Sequence, residues 1–188
     1  MSGKSPKLIK KEILLDGHKR IIKETLEFSP ADTRDWIYLD TPASVVVAAL
    51  TPERELLYIE QYRHNLGMRV SELVAGKVDE GESIVTAAKR ELLEETGCKA
   101  KRIIELGKYY ALPNETNRWV YYCVALDAVC DQPPDPQDSL EKYMDIRINR
   151  APVDEFMQDC ALLGMSGIES LYGLQLLRGY LSDPHNMN

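Results

Sequence analysis

The sequence predicts an α+β fold or an α/β/α sandwich built on a mixed sheet, and three observations carry the prediction. Short β-like runs occupy much of residues 8–129. One amphipathic helical segment interrupts them after Ser83, and two more follow residue 152. Strands on both sides of a helix, with further helices gathered at the end, are the element pattern of those two classes.

The elements follow in order. Residues 8–15, 18–28 and 36–39 read as β-runs separated by Asp16-Gly17 and Ser29-Pro30, both turn formers, and Asp-Gly in particular marks a hairpin. These runs suggest a small antiparallel extension over residues 1–41, with a boundary near Thr41-Pro42 and a second domain over residues 42–188. The apolar run 44–50 opens that domain as a strand, and residues 56–62 and 70–74 continue it. Gly76 through Gly81 reads as a loop, after which helical spacing begins with Ser83 as N-cap. Ile84, Ala87, Ala88, Leu92 and Leu93 supply the apolar stripe, and Gly97 is a natural C′ residue. Residues 102–110 and 119–129 read as an antiparallel pair joined by a turn at 112–117. Three prolines and three aspartates make 130–139 a surface loop, a strand is expected over 141–148, and residues 152–163 and 168–181 have helical periodicity.

Composition narrows the function classes. A chain of 188 residues with 44% hydrophobic content and a formal net charge of −7 describes an ordinary globular domain with a small appendage. That acidic balance disfavours a nucleic-acid backbone as main partner, while leaving a small phosphorylated ligand open. The apolar run at 43–50 is far short of the roughly 20 residues that span a bilayer, so no membrane association is expected. Ile13-Leu14-Leu15 is too short for a signal peptide's apolar core, which makes the cytoplasm the expected compartment. Cys98, Cys123, Cys130 and Cys160 have no C-x-x-C spacing, so four free thiols serving packing are expected.

Residues 76–98, GKVDEGESIVTAAKRELLEETGC, carry the chemistry. Glu91, Glu94 and Glu95 share one helix face within about one 5.4 Å turn. They also stand near the negative pole of the helix dipole, where each carboxylate is disfavoured by about 0.3–1 kcal/mol. A cation among them removes both conflicts, and hard oxygen donors in that number suit Mg²⁺ or Mn²⁺.

As a pattern the segment is Gly76, five residues, Glu82, seven residues, Arg90-Glu91, the aliphatic Leu92, any residue, Glu94-Glu95, any residue, Gly97 and the small Cys98. This resembles the Nudix hydrolase signature at every defined position. The resemblance implies a Nudix α/β/α sandwich with a mixed sheet and cleavage of a pyrophosphate by metal-activated water. It makes Glu91 and Glu95 the principal metal ligands, Glu94 a further ligand or water-mediated contact, and the Ala75 carbonyl a completing donor. Arg90 and Glu82 take supporting roles, fixing the geometry around the carboxylates, with a water-mediated contact of Glu82 to the metal as the alternative. Neither Glu94 nor Glu95 is expected in the core.

Residues 58–63 (YIEQYR) and 71–76 (SELVAG) are similar to the ADP-ribose and nucleoside-diphosphate-sugar pyrophosphatases of that family. In that branch N-terminal strands commonly exchange across a homodimer, so a homodimer and a nucleotide-sugar substrate are expected. Arg63 is a candidate for a substrate phosphate, with a surface salt bridge as the alternative. Glu72 is a candidate contact to substrate or to metal-bound water. Trp36 and Tyr38 could stack on a base or simply pack. Related enzymes supply a further glutamate from the loop before the last strand as general base or metal ligand; that position best matches Glu141, with Asp138 as substitute, and ordinary loop charge is the alternative. One departure stands out. Many ADP-ribose pyrophosphatases have a Ser-Pro-Gly-aromatic turn followed by glutamate where this chain has Ala111-Leu112-Pro113-Asn114-Glu115-Thr116. Only Pro113 and Glu115 fit that pattern, which leaves ADP-glucose or GDP-mannose open beside ADP-ribose. Nucleoside triphosphates, dinucleoside polyphosphates or RNA 5′ ends are the alternative substrates, and a non-catalytic nucleotide-sugar sensor is the alternative class.

Overall fold

A computed structural model describes residues 5–135, 145–163 and 166–186, with the side chains of 160–163 left aside. The chain divides into two compact units, Met1–Ala43 with Tyr110–Trp119, and Ser44–Tyr109 with Val120–Asn188.

In the first unit, β1 (Lys7–Asp16), β2 (Arg20–Ser29) and β3 (Asp32–Asp40) form an antiparallel sheet in the order β1-β2-β3. Turns at Asp16-Gly17 and Ser29-Pro30 set the register, with Asp16 opposite Arg20 and Ser29 opposite Asp32. Only the central strand buries a large side chain fully, Ile22, whereas Leu8, Ile9, Ile13, Leu14 and Leu15 of β1 are each about half exposed. The turn 112–117 belongs to this unit: Leu39 N–H donates to the Glu115 carbonyl at 2.8 Å, and the Thr41 and Thr116 hydroxyls are 3.0 Å apart.

The second unit is built on a mixed sheet. Its strands are β4 (Ser44–Leu50), β5 (Glu55–Arg63), β6 (Met68–Glu72), β7 (Val74–Lys77), β8 (Cys98–Tyr110), β9 (Trp119–Cys130) and β10 (Arg147–Pro152). The order is β10-β5-β4-β9-β8, with β6 on β5 and β7 on β4. β4 runs parallel to β9 and antiparallel to β5 and β7. All seven residues of β4 are buried, as a central strand covered on both faces requires. Alternation along it assigns the faces. Val45, Val47 and Ala49 join the cluster containing Ala87, Ala88 and Leu92 of helix α1 (Ile84–Thr96). Val46, on the opposite face, meets Gly173 of helix α3 (Ile168–Ser182). With α2 (Val153–Leu163), this is the α/β/α sandwich.

Four differences from the sequence reading have identifiable causes. A single strand was expected over 70–74, but the ladder breaks at Leu73, whose N–H leaves the sheet for the Ser170 Oγ of α3 at 3.0 Å. β7 then carries the strand through Gly76 to Lys77 by pairing with β4, where a loop was expected. Glu95 is buried, at 3% exposure, on the same face as Leu92. Finally, Cys98 and Cys130 are disulfide-bonded, which corrects the expectation of four free thiols. They begin and end adjacent strands, so 32 residues of sequence separation collapse to neighbouring positions. Cys123 is free and buried, and desolvation pushes its thiol up to about 12, consistent with a packing role. The Cys160 side chain lies outside the described residues. No helix among the described residues is long and apolar enough to cross a membrane.

Candidate active site

Helix α1 presents the central glutamates, and its ends are well defined. Ser83 accepts from the Thr86 N–H at 3.1 Å at the N-terminus. At the other end Gly97 adopts φ 68° and its N–H closes on the Leu93 carbonyl. A side chain at Gly97 would collide with the Gln132 carbonyl, and the Asp135 N–H donates to the Glu94 carbonyl at 3.0 Å. The chain leaving β9 therefore packs onto the last turn of the helix.

β7 runs beside this helix. Ala75 N–H donates to Glu95 Oε2 at 3.1 Å. At Gly76 an added Cβ would overlap the Glu91 carboxylate, so glycine is what allows that carboxylate to lie on the strand backbone. Two acidic side chains, 5% and 3% exposed, thus meet the Ala75-Gly76 backbone. An all-oxygen set of two carboxylates beside a backbone segment fits a hard divalent cation that retains waters.

Arg90 organises the remaining acids. Its Nε and Nη2 donate to Glu82 Oε1 and Oε2 at 3.1 and 2.9 Å, and Nη2 also reaches the Lys77 carbonyl at 2.8 Å. Its Nη1 lies 2.7 Å from Glu91 Oε1 and 3.2 Å from Glu94 Oε2. A cation does stand among the glutamates, and it is this guanidinium. Among the described residues no group of three or more His, Cys, Asp or Glu side chains is arranged to hold a metal ion. The Arg90 hydrogen bonds hold the Glu82 carboxyl below its ordinary value, against a smaller effect of burial, and the Asp79 N–H adds to the lowering. Arg90 is itself raised, chiefly by Glu82.

A second cluster sits on β5 and β6. Arg63 donates to both Glu72 oxygens, Nε to Oε1 at 3.2 Å and Nη2 to Oε2 at 2.5 Å. Gln61 Nε2 donates to Glu72 Oε2 at 2.7 Å. Arg63 is thus committed to Glu72 here, the salt-bridge alternative of the sequence reading. Gln61, 4% exposed, was not singled out by sequence. A polar side chain at a buried alternating position of an apolar strand was the available signal.

Trp36 lies in the first unit, on β3 opposite Glu24, and is 47% exposed. Tyr38 donates to Glu24 Oε1 at 3.1 Å. Glu141 and Asp138 lie outside the described residues.

Comparison with known proteins gives a consistent result. A family description, NUDIX domain, matches residues 40–160. An ADP-ribose pyrophosphatase of Bacillus subtilis (strain 168) is 34% identical over 84 residues, 45% of this chain and 45% of that protein. A methanol dehydrogenase activator of Bacillus methanolicus is 31% identical over 122 residues, 63% of this chain and 65% of that protein. The chain thus spans about half to just under two thirds of the length of these curated relatives. Among solved structures, one described as an ADP compounds hydrolase superimposes with a TM-score of 0.79 over 100% of both chains at 22% identity, a likeness of fold.

Proposed function

This chain belongs to the NUDIX family, and on that premise we propose that it is a divalent-metal-dependent pyrophosphatase. Its substrates are nucleoside diphosphate sugars of the ADP-ribose, ADP-glucose or GDP-mannose type, split to a nucleoside monophosphate and a sugar phosphate. The observation that carries this reading is the pair of buried carboxylates, Glu91 and Glu95, set against the Ala75-Gly76 backbone. The ADP-ribose pyrophosphatase of Bacillus subtilis among its relatives supports the substrate class.

On this reading Glu91, Glu95 and the Ala75 carbonyl hold Mg²⁺, or Mn²⁺ in its place, and Glu94 adds a ligand or a water-mediated contact. When bound, the ion neutralises charge on the phosphoryl oxygens and acidifies the attacking water. Arg90 and Glu82 lock the loop onto the helix, so the acidic groups are held before substrate arrives. Arg63 offers a planar fork to a substrate phosphate that displaces Glu72, and Glu72, released, contacts the substrate or metal-bound water. Trp36 offers a face for base stacking, and Glu141 is assigned the general base. The half-exposed apolar side chains of β1, with Trp36 and Ile37 of β3, support a homodimer formed through the first unit.

The test is incubation with Mg²⁺ and a panel of nucleoside diphosphate sugars, following monophosphate release with and without a chelator. Turnover of no member would overturn the proposal, and pyrophosphate release from a triphosphate would move it to the alternative substrates. The relative named as a methanol dehydrogenase activator favours a second reading, control of a partner enzyme. Binding of a nucleotide sugar without hydrolysis, unchanged in Glu95→Gln, would favour that one.

A further inference from the structure

A cavity of about 410 Å³ opens in the second unit, and its lining includes Arg54, Lys101, Arg102, Leu126, Asp127 and Asn186. None of these residues belongs to the carboxylate cluster. Leu50, also in the lining, stands four residues along β4 from Val46, the register partner of Ala75, or about 13 Å at strand rise. The volume is that of a small-molecule site.

Its charge runs against that of the chain. The protein carries −7 overall, yet here three cations face one carboxylate. Among the described residues, Arg54, Lys101 and Arg102 take part in no ion pair, although surface cations elsewhere, such as Lys10, Lys23 and Arg147, do.

The backbone supplies an independent observation. Three non-glycine residues have positive φ among the described residues, Arg54 at 67°, Asp127 at 54° and Asp145 at 47°. Two of them line this one cavity. Arg54 occupies the left-handed position of the β4–β5 turn, where Thr51 N–H bonds the Glu55 carbonyl at 2.9 Å and Arg54 N–H the Thr51 carbonyl at 3.0 Å. Glycine fits such a position at lower cost. A non-glycine residue kept at this left-handed position in the cavity wall, beside two further cations outside any ion pair among the described residues, calls for a role other than the turn itself.

We propose that this cavity is a binding site for a small phosphorylated polyol, of sugar-phosphate class. Arg54 and Arg102 give bidentate donors and Lys101 a point charge for the phosphate dianion. Asp127 accepts from a hydroxyl of the same molecule, a contact that separates a sugar phosphate from an inorganic anion. The proposal does not rest on the hydrolase reading.

Isothermal titration of the full chain with ribose 5-phosphate at 0.1 M salt tests it, with ribose and inorganic phosphate as companion ligands. Saturable binding at one site is expected, at least tenfold tighter than phosphate and absent for ribose. Arg54→Gly, which relieves the turn and folds at least as well, should weaken binding at least tenfold, as should Lys101→Ala with Arg102→Ala. Asp127→Asn should narrow the gap between ribose 5-phosphate and phosphate, and Glu95→Gln should leave affinity unchanged. No binding, or binding lost in Glu95→Gln but kept in Arg54→Gly, overturns the assignment.

Discussion

The Arg90 guanidinium closes on the Glu82 carboxylate through two hydrogen bonds, Nε to Oε1 at 3.1 Å and Nη2 to Oε2 at 2.9 Å, while its third nitrogen faces Glu91 and Glu94. Lysine cannot reproduce that fork. Arg90→Lys should therefore lower kcat/KM by about 10–100-fold, the range for residues that orient ligand carboxylates. Because Arg90 holds the folded-state Glu82 value below its ordinary one, the stabilisation is complete above the ordinary carboxylate range. It is lost as pH falls through the lowered value. Urea unfolding of wild type and Glu82→Gln from pH 7 to pH 3 reads this directly: the gap should be constant near neutrality and close in acid. A gap that widens in acid contradicts the pairing.

Glu91 and Gly76 make a second coupled pair, since the glycine leaves the space the carboxylate fills. Gly76→Ala should displace Glu91 and reduce both metal affinity and turnover by at least 10-fold, and Glu95→Gln should lower turnover by about three orders of magnitude or more. Mn²⁺ binding followed by electron paramagnetic resonance separates loss of the ion from loss of chemistry. Near-normal Mn²⁺ affinity in Gly76→Ala would contradict the cradle. Burial of Glu95 adds a cost the sequence did not suggest, so its variant is best compared at matched folded fraction, read by circular dichroism.

The sequence made legible those features that depend on neighbours along the chain. Asp16-Gly17 sets a hairpin through its own backbone preference, and Ser83 and Gly97 bound α1 through groups within three or four residues. The glutamate spacing likewise places Glu91 and Glu95 on one face without tertiary knowledge. What depends on distant partners was hidden. Leu73 leaves its strand because Ser170, nearly one hundred residues later, offers an acceptor. Cys98 meets Cys130 only because β8 and β9 are adjacent. Arg90 was expected to fix the geometry around the carboxylates, and its i,i+4 spacing to Glu94 agrees with the ion pair found, whereas its bond to the Lys77 carbonyl depends on where β7 runs and was hidden.

The disulfide yields a further prediction. Closing a loop with a sequence separation of 32 residues corresponds to about 3–4 kcal/mol of stabilisation in the chain-entropy account. Thiol reductant should lower the Tm by several degrees, and Cys98→Ala with Cys130→Ala should lower it equally while abolishing the effect of reductant. A bond of this kind persists under oxidising conditions, which sets it against the cytoplasmic compartment expected from the N-terminal residues. Intact-mass measurement after alkylation without reductant distinguishes the two: protection of Cys98 and Cys130 in protein isolated from its native cells supports the bond, and labelling of unfolded protein at both positions contradicts it.

The hydrogen bond from Leu73 N–H to Ser170 Oγ is buried, and Ser170 is 5% exposed. Ser170→Ala leaves the Leu73 amide with no acceptor in the interior, a loss of about 1–3 kcal/mol. Leu73 separates Glu72 from the Val74–Lys77 strand, and Gly173 on the next turn of α3 admits its side chain, so the same bond also sets where β6 ends and β7 begins. Ser182→Ala is the control, because its hydroxyl bonds the Arg178 carbonyl in an exposed last turn and should change stability by less than about 0.5 kcal/mol. Urea titrations of both variants with unchanged m-values would read the difference as stability alone. Equal midpoints for the two variants would remove Ser170 as the cause of the break, leaving the β6–β7 interruption to the packing of Leu73 against α3.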